Sequence, residues 1–161
     1  MALALPKAMK LRQSPRLRGF GYTGPFAYHL TFVTRERLPA FHADNVVQSC
    51  LDALKMAGER HGFDALAFCF MPDHLHLLVG GREASSLQDF IHYFKQISSY
   101  HFKREHGASL WQISYYDHVM RRDEDVGQIA AYIWDNPVRA GLVESRLEYA
   151  FSGPRELMEQ A

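Results

Sequence analysis

"DALAFCFMPDHLHLLV", residues 64–79, is the stretch that decides the fold. Two apolar runs flank Met71, Pro72 and Asp73. A connection that short, made of Pro and Asp, is hairpin chemistry, so residues 64–70 and 74–79 should pair as antiparallel strands. Alternation along a strand puts Leu66, Phe68 and Phe70 on one face of the first run and Leu75, Leu77 and Val79 on one face of the second. His74 and His76 then share the opposite face, about 7 Å apart at two strand rises.

Upstream, "AYHLTFVT" (27–34) alternates and is rich in β-branched and aromatic residues, which reads as a strand. "DNVVQSCLDALKMAGERHG" follows with Val46, Val47, Cys50, Leu51, Leu54 and Ala57 at helical spacing, Asp44 as the expected N-cap and Gly62 as the stop. Downstream of the hairpin, Ser86 with Asp89 three residues on has the form of a capping box. It opens a helix striped by Leu87, Phe90, Ile91, Phe94 and Ile97, expected to end near Gly107. "LWQISYYDHVM" (110–120) is strand-like, and "RDEDVGQIAAYIWDNP" (122–137) reads as a third helix with Asp123 as N-cap and Pro137 marking its end. The order βαββαβα predicts a ferredoxin-like α+β domain: an antiparallel sheet with the long helices packed on one face.

A chain of 161 residues, 47% hydrophobic and 22% charged, has the balance of one globular domain. The expected division is a basic N-terminal arm over residues 1–26, one catalytic domain over 27–150 and a C-terminal tail over 151–161. No apolar run reaches the roughly 20 residues that cross a bilayer, and "MALALPKAMK" is broken by Pro6, so no membrane partner is expected and the cytoplasm is the expected location. Cys50 and Cys69 have neither metal-ligand spacing nor disulfide density and read as small buried apolar residues. The net charge is zero, which makes no general case for a polyanionic partner. Its distribution is uneven, with Lys7, Lys10, Arg12, Arg16 and Arg18 at one end and Glu144, Glu148, Glu156 and Glu159 at the other. A basic arm of this kind suits phosphate contacts or a solvated tail equally well.

Two imidazoles on one strand face can converge on a divalent ion. Nine histidines in 161 residues give about 0.5 His-x-His pairs by chance, so the pattern needs partners elsewhere. On the third helix Val126, Ile129, Ala130 and Ile133 form the core stripe, while Tyr132 falls on its flank and Asn136 lies one turn along the same side. An amide oxygen there suits a hard cation such as Mg²⁺ or Mn²⁺. Tyr132 half-buried, with Asn136 and Pro137 simply closing the helix, is the alternative, and Tyr93, Tyr100, Tyr115 and Tyr116 compete as nucleophiles.

"AYHLTFVTRERLPAF", "FMPDHLHLLVG" and "LWQISYYDHVMRRDEDVGQIAAYIWDNPVRAGLV", in that order over residues 27–143, resemble the REP-associated tyrosine transposases, members of the single-tyrosine branch of the HUH nucleases. The resemblance implies an HUH transposase-like fold. It implies that His74 and His76 bind the divalent metal, that Tyr132 is the nucleophile, and that Asn136 is the third metal ligand. His118 matches a histidine of open role. The implied activity is cleavage and rejoining of single-stranded or hairpin DNA through a covalent 5′-phosphotyrosine, with Mg²⁺ or Mn²⁺ as cofactor. Monomer and homodimer are both open. Arg12, Arg16 and Arg18 of the arm, then Lys95, Lys103, Arg104, Arg121 and Arg122, are the candidate DNA contacts. Two other readings are a catalytically silent hairpin-binding regulator and a metallohydrolase of small phosphoesters, for which Tyr132 would be dispensable.

Overall fold

The computed structural model describes residues 19–121 and 124–161. Strand β1 spans Ala27–Val33, helix α1 Asp44–His61, β2 Phe63–Met71, β3 His74–Gly81 and α2 Leu87–His106. They are followed by β4 (Tyr116–Val119), α3 (Val126–Trp134), the single-turn α4 (Asn136–Arg139), β5 (Ser152–Gly153) and α5 (Arg155–Met158). All sheet pairings are antiparallel, in the order β4-β1-β3-β2-β5. The first four strands, with α1 and α2 as crossovers, form the expected ferredoxin-like α+β domain. Among the described residues no helix is long and apolar enough to cross a membrane.

Local chemistry explains where the long helices start and stop. The Ser86 hydroxyl accepts from the Asp89 amide at the start of α2, and Gly107 ends it in the left-handed conformation at φ 72°. Gly62 ends α1 at φ 75° in the same way. Asp44 is the first helical residue of α1 and not its cap, which Ala43 provides; the carboxylate still sits in the first turn, where the helix dipole favours it.

Each face of the sheet has its own core. Tyr28, Leu30 and Phe32 of β1, Phe70 of β2 and Leu75, Leu77 and Val79 of β3 pack against α1 and α2, so both long helices lie on one face. Ala67, Cys69 and Met71 of β2 and Leu78 of β3 face the other way, against Ala130, Ile133 and Trp134 of α3 and Met158 of α5. Cys50 and Cys69 are buried free thiols, one in each core.

Four local expectations change. Leu66 does not share a face with Phe68 and Phe70: the register shifts between Ala65 and Ala67, and the bulge turns Leu66 towards the α3 side. There it lies over Gly80, whose missing side chain leaves room. The strand expected over residues 110–120 shrinks to β4. Trp111 instead bridges Thr34 and packs on Phe32, Phe41 and Phe94, while the Lys95 ammonium takes the carbonyls of Gln112 and Ile113 that a ladder would have satisfied. The third helix begins at Val126 with Asp125 as its cap, accepting from the amides of Gly127 and Gln128; Asp123 lies outside the described residues. Pro137 lies in the first turn of α4 and does not simply end α3, because a residue without N–H is tolerated there.

Both ends of the described chain are packed. Tyr22 is buried in the α1–α2 core, its carbonyl accepting from Leu87. Residues 151–161, read from sequence as a tail, supply β5, which pairs with Phe68 and Cys69, and the buried Met158. Too few apolar residues carry that segment for any period to show in the sequence.

Candidate active site

β3 is a central strand, and antiparallel pairing aligns its histidines with their neighbours. His76 stands directly opposite Thr31 of β1 and Cys69 of β2, and His74 opposite Val33 and Met71. The two rings lie 4.9 Å apart, nearly perpendicular. His74 Nδ1 is 2.7 Å from Asp73 Oδ1. His76 Nδ1 is 3.2 Å from Thr31 Oγ1 and 3.4 Å from His29 Nε2. A carboxylate on Nδ1 keeps that nitrogen protonated and leaves the Nε2 lone pair for a ligand. Both imidazoles are thus engaged through Nδ1 and turn Nε2 away from these partners.

His29 is a member of this face that periodicity did not single out. It stands directly opposite His118 of β4, whose Nε2 pairs with Glu124 Oε1 at 2.8 Å. His118, His29, His76 and His74 therefore form a row across three strands. Burial pushes His29 down to about 4, with His118 adding to the effect. Burial also holds His76 well below the usual imidazole range, helped by His74, His29 and Arg139. Both rings are uncharged at neutral pH, the state in which imidazole ligates metal. The His74 hydrogen bond holds the Asp73 carboxyl below its ordinary value, with Arg37 also contributing.

α3 packs over the same sheet face and presents Tyr132 outward, 47% exposed. The helix is fixed from below by Ala130 and Ile133, and at its end by Trp134, whose indole N–H donates to the Gly153 carbonyl at 2.8 Å. Arg146 clamps Asp135 through two contacts, of 2.8 and 2.9 Å, and so holds the α3–α4 turn. The Asn136 amide nitrogen donates to the carbonyls of Tyr132 and Ile133, at 3.2 and 3.1 Å. Those acceptors determine the orientation of the amide, because its oxygen would be repelled there, and Oδ1 points away from the helix carbonyls. The Arg139 guanidinium lies 4.0 Å from the centre of the Tyr132 ring, and its Nη2 donates to the Tyr132 carbonyl at 2.9 Å. Arg139 also bears on the charge of His76, so the α3–α4 unit and the histidine row belong to one locale.

Among the described residues no three His, Cys, Asp or Glu side chains form a group suited to a metal ion. His74 and His76, each engaged through Nδ1, and the Asn136 amide, held through its nitrogen, offer nitrogen and oxygen donors of the types that divalent cations take. The other candidates are scattered. Lys95, Lys103 and Arg104 are on α2, across the sheet from the histidines. The Lys95 ammonium holds two carbonyls, and burial pushes it down to about 8. Arg104 lies over Tyr100. Arg121 is exposed between β4 and α3, where its backbone N–H donates to Glu124. Arg12, Arg16, Arg18 and Arg122 lie outside the described residues. Of the competing tyrosines, Tyr93 and Tyr100 are on α2, while Tyr116 stands opposite Thr31 and so shares the histidine face. Clefts of about 540 and 470 Å³ run along α1 and α2, and neither includes a residue of the histidine row.

Solved transposases share this antiparallel sheet with its long helices on one face. The chain superposes with a TM-score of 0.71 on a REP-associated tyrosine transposase solved bound to a REP hairpin, at 21% identity over 84% of this chain and 80% of that one. A transposase structure from Deinococcus radiodurans gives 0.53 at 27% identity, covering 72% of this chain and 94% of that one. Residues 24–136 match the model of the IS200-like transposases, and the chain belongs to that family of DNA-processing enzymes. Among its relatives, a protein of Haemophilus influenzae described as a REP-associated tyrosine transposase is 27% identical over 137 residues, 78% of this chain and 77% of that one. The ISDra2 transposase TnpA of Deinococcus radiodurans is 26% identical over 106 residues, 61% of this chain and 75% of that one.

Proposed function

We propose that the protein cleaves and rejoins single-stranded DNA at a hairpin, with Tyr132 as nucleophile. The observation that carries this reading is the packing of α3, with Tyr132 accessible, over the sheet face on which His74 and His76 stand side by side. The hairpin substrate follows the structural relative, which was solved with a REP hairpin. The two clefts lie on the other side of the sheet and include none of the four histidines of the row, so neither supplies a pocket for a small phosphoester at this site.

His74 and His76 through Nε2, with the Asn136 amide oxygen, would hold Mg²⁺ or Mn²⁺, which supplies Lewis-acid polarisation of a phosphate oxygen. Tyr132 loses its phenolic proton to the water that its exposure admits. Its Oη attacks phosphorus, the P–O3′ bond breaks, and the departing 3′-oxygen takes a proton. The product is a 5′-phosphotyrosine and a free 3′-hydroxyl. The number of phosphoester bonds is unchanged, so attack by another 3′-hydroxyl reverses the step without an external energy source.

The test is covalent capture. Purified protein with Mn²⁺ and a hairpin oligonucleotide bearing a single-stranded flank should give a protein–DNA adduct that Tyr132→Phe abolishes while thermal unfolding is preserved. Tyr116→Phe should leave the adduct intact; loss there with retention in Tyr132→Phe would transfer the role to Tyr116.

A further inference from the structure

We propose that Arg139 binds the phosphodiester that Tyr132 attacks and holds the tyrosine ring in place for that attack. The inference rests on the reading of Tyr132 as nucleophile.

Arg139 is the last residue of α4, seven positions after Tyr132, and the turn at Asp135 brings it back over the ring. The guanidinium stacks at 4.0 Å from the ring centre, and one N–H reaches the Tyr132 carbonyl. Together these restrain both the side chain and the backbone of the tyrosine. No carboxylate neutralises this cation among the described residues: the nearest acid in sequence, Asp135, is taken by Arg146. The rest of the fork makes no hydrogen bond among those residues. An exposed guanidinium with unused donors, lying on the nucleophile, is where a phosphate of the polymer would dock. Its flat face serves the ring while its edge serves the phosphate, which an ammonium cannot do. A purely structural Arg139 would be a helix-end donor to the Tyr132 carbonyl and nothing more.

The two roles separate in binding and rate measurements on the full chain, once the cleavage position has been mapped with the wild type. In the presence of chelator, wild type should bind an oligonucleotide with a phosphodiester at that position about tenfold more tightly than one with a neutral methylphosphonate. Arg139→Ala should bind the two equally. With Mn²⁺, single-turnover adduct formation should fall by about 100-fold or more in Arg139→Ala. Arg139→Lys should recover the preference for the charged phosphate but not the rate, since the stack on Tyr132 is lost. Should Arg139→Ala fail to fold, Arg139→Met keeps the apolar stem and carries the same comparison. An adduct that requires Tyr132 but forms at the wild-type rate without Arg139 would overturn the inference alone, as would an undiminished charge preference in Arg139→Ala. An adduct that persists in Tyr132→Phe would overturn the reading of the nucleophile and this inference with it.

Discussion

His76 depends on two neighbours from another strand, Thr31 and His29 of β1, and His74 on the residue beside it. The Asp73 carboxylate at 2.7 Å fixes the His74 tautomer, and Thr31 and His29 hold the His76 ring through its Nδ1. Partners of this kind raise ligand basicity and orient the ring, so Asp73→Asn should weaken Mn²⁺ binding about 10- to 100-fold. Calorimetric titration of the DNA-free protein measures it, and an unchanged affinity would remove His74 from the proposed ligand set. His74 and His76 can be paired from sequence because an i, i+2 spacing on a strand needs no tertiary information. Tyr132 and Asn136 can be placed on one helix side for the same reason. His29 escapes such reasoning: its relation to His76 is diagonal across two strands and exists only once the β1–β3 register is known. Arg139 escapes because Pro137 looks like the end of a helix, whereas the chain makes another turn and folds the arginine back over Tyr132.

At the level of elements, caps and turns are legible because they act over three or four residues, as at Ser86, Gly62 and Gly107. The bulge at Leu66 and the shortness of β4 are not, since each is decided by distant partners: Gly80 on the neighbouring strand, and Lys95 reaching over from α2. Close contact between α1 and β2 is equally hidden in the sequence. A Cβ on Gly58 would stand 2.5 Å from the Phe63 carbonyl oxygen, a backbone atom that cannot rotate away. Gly58→Ala gains about 1 kcal/mol of helix propensity but incurs overpacking of about 1–3 kcal/mol. The clash with a backbone atom should win, with a net loss of up to about 2 kcal/mol read as a lower urea midpoint. The proposed hairpin binding should survive, because Gly58 lies on α1, across the sheet from the histidines. A gain in stability would show that α1 can slide outward freely.

The molecule as a whole has two cores sharing one sheet, and each encloses acids that ionise reluctantly. Burial pushes Cys50 and Cys69 up to about 12 from an ordinary value near 9, and Tyr28 and Tyr149 up to about 12 from 10. Cys50 and Tyr28 belong to the α1–α2 core, Cys69 and Tyr149 to the α3 side. For each of these acids the folded state keeps its proton to higher pH than the unfolded chain does. The associated stability is complete below the unfolded value and is lost as pH rises from about 9 towards 12. Lys95 works in the opposite direction: its pKa of about 8 in the fold, against an ordinary 10.5, means stability rises between those two values. Four acids outweigh one base, so the urea midpoint should fall above pH 9, first through the thiols and then through the phenols. Cys69→Ala should lower stability at pH 8 by removing packing, yet make the alkaline decline shallower, because one of the four protons no longer has to leave. A midpoint that stays level from pH 8.5 to 10.5 would mean that these thiols and phenols ionise in the fold as they do in the unfolded chain, and that water reaches both cores.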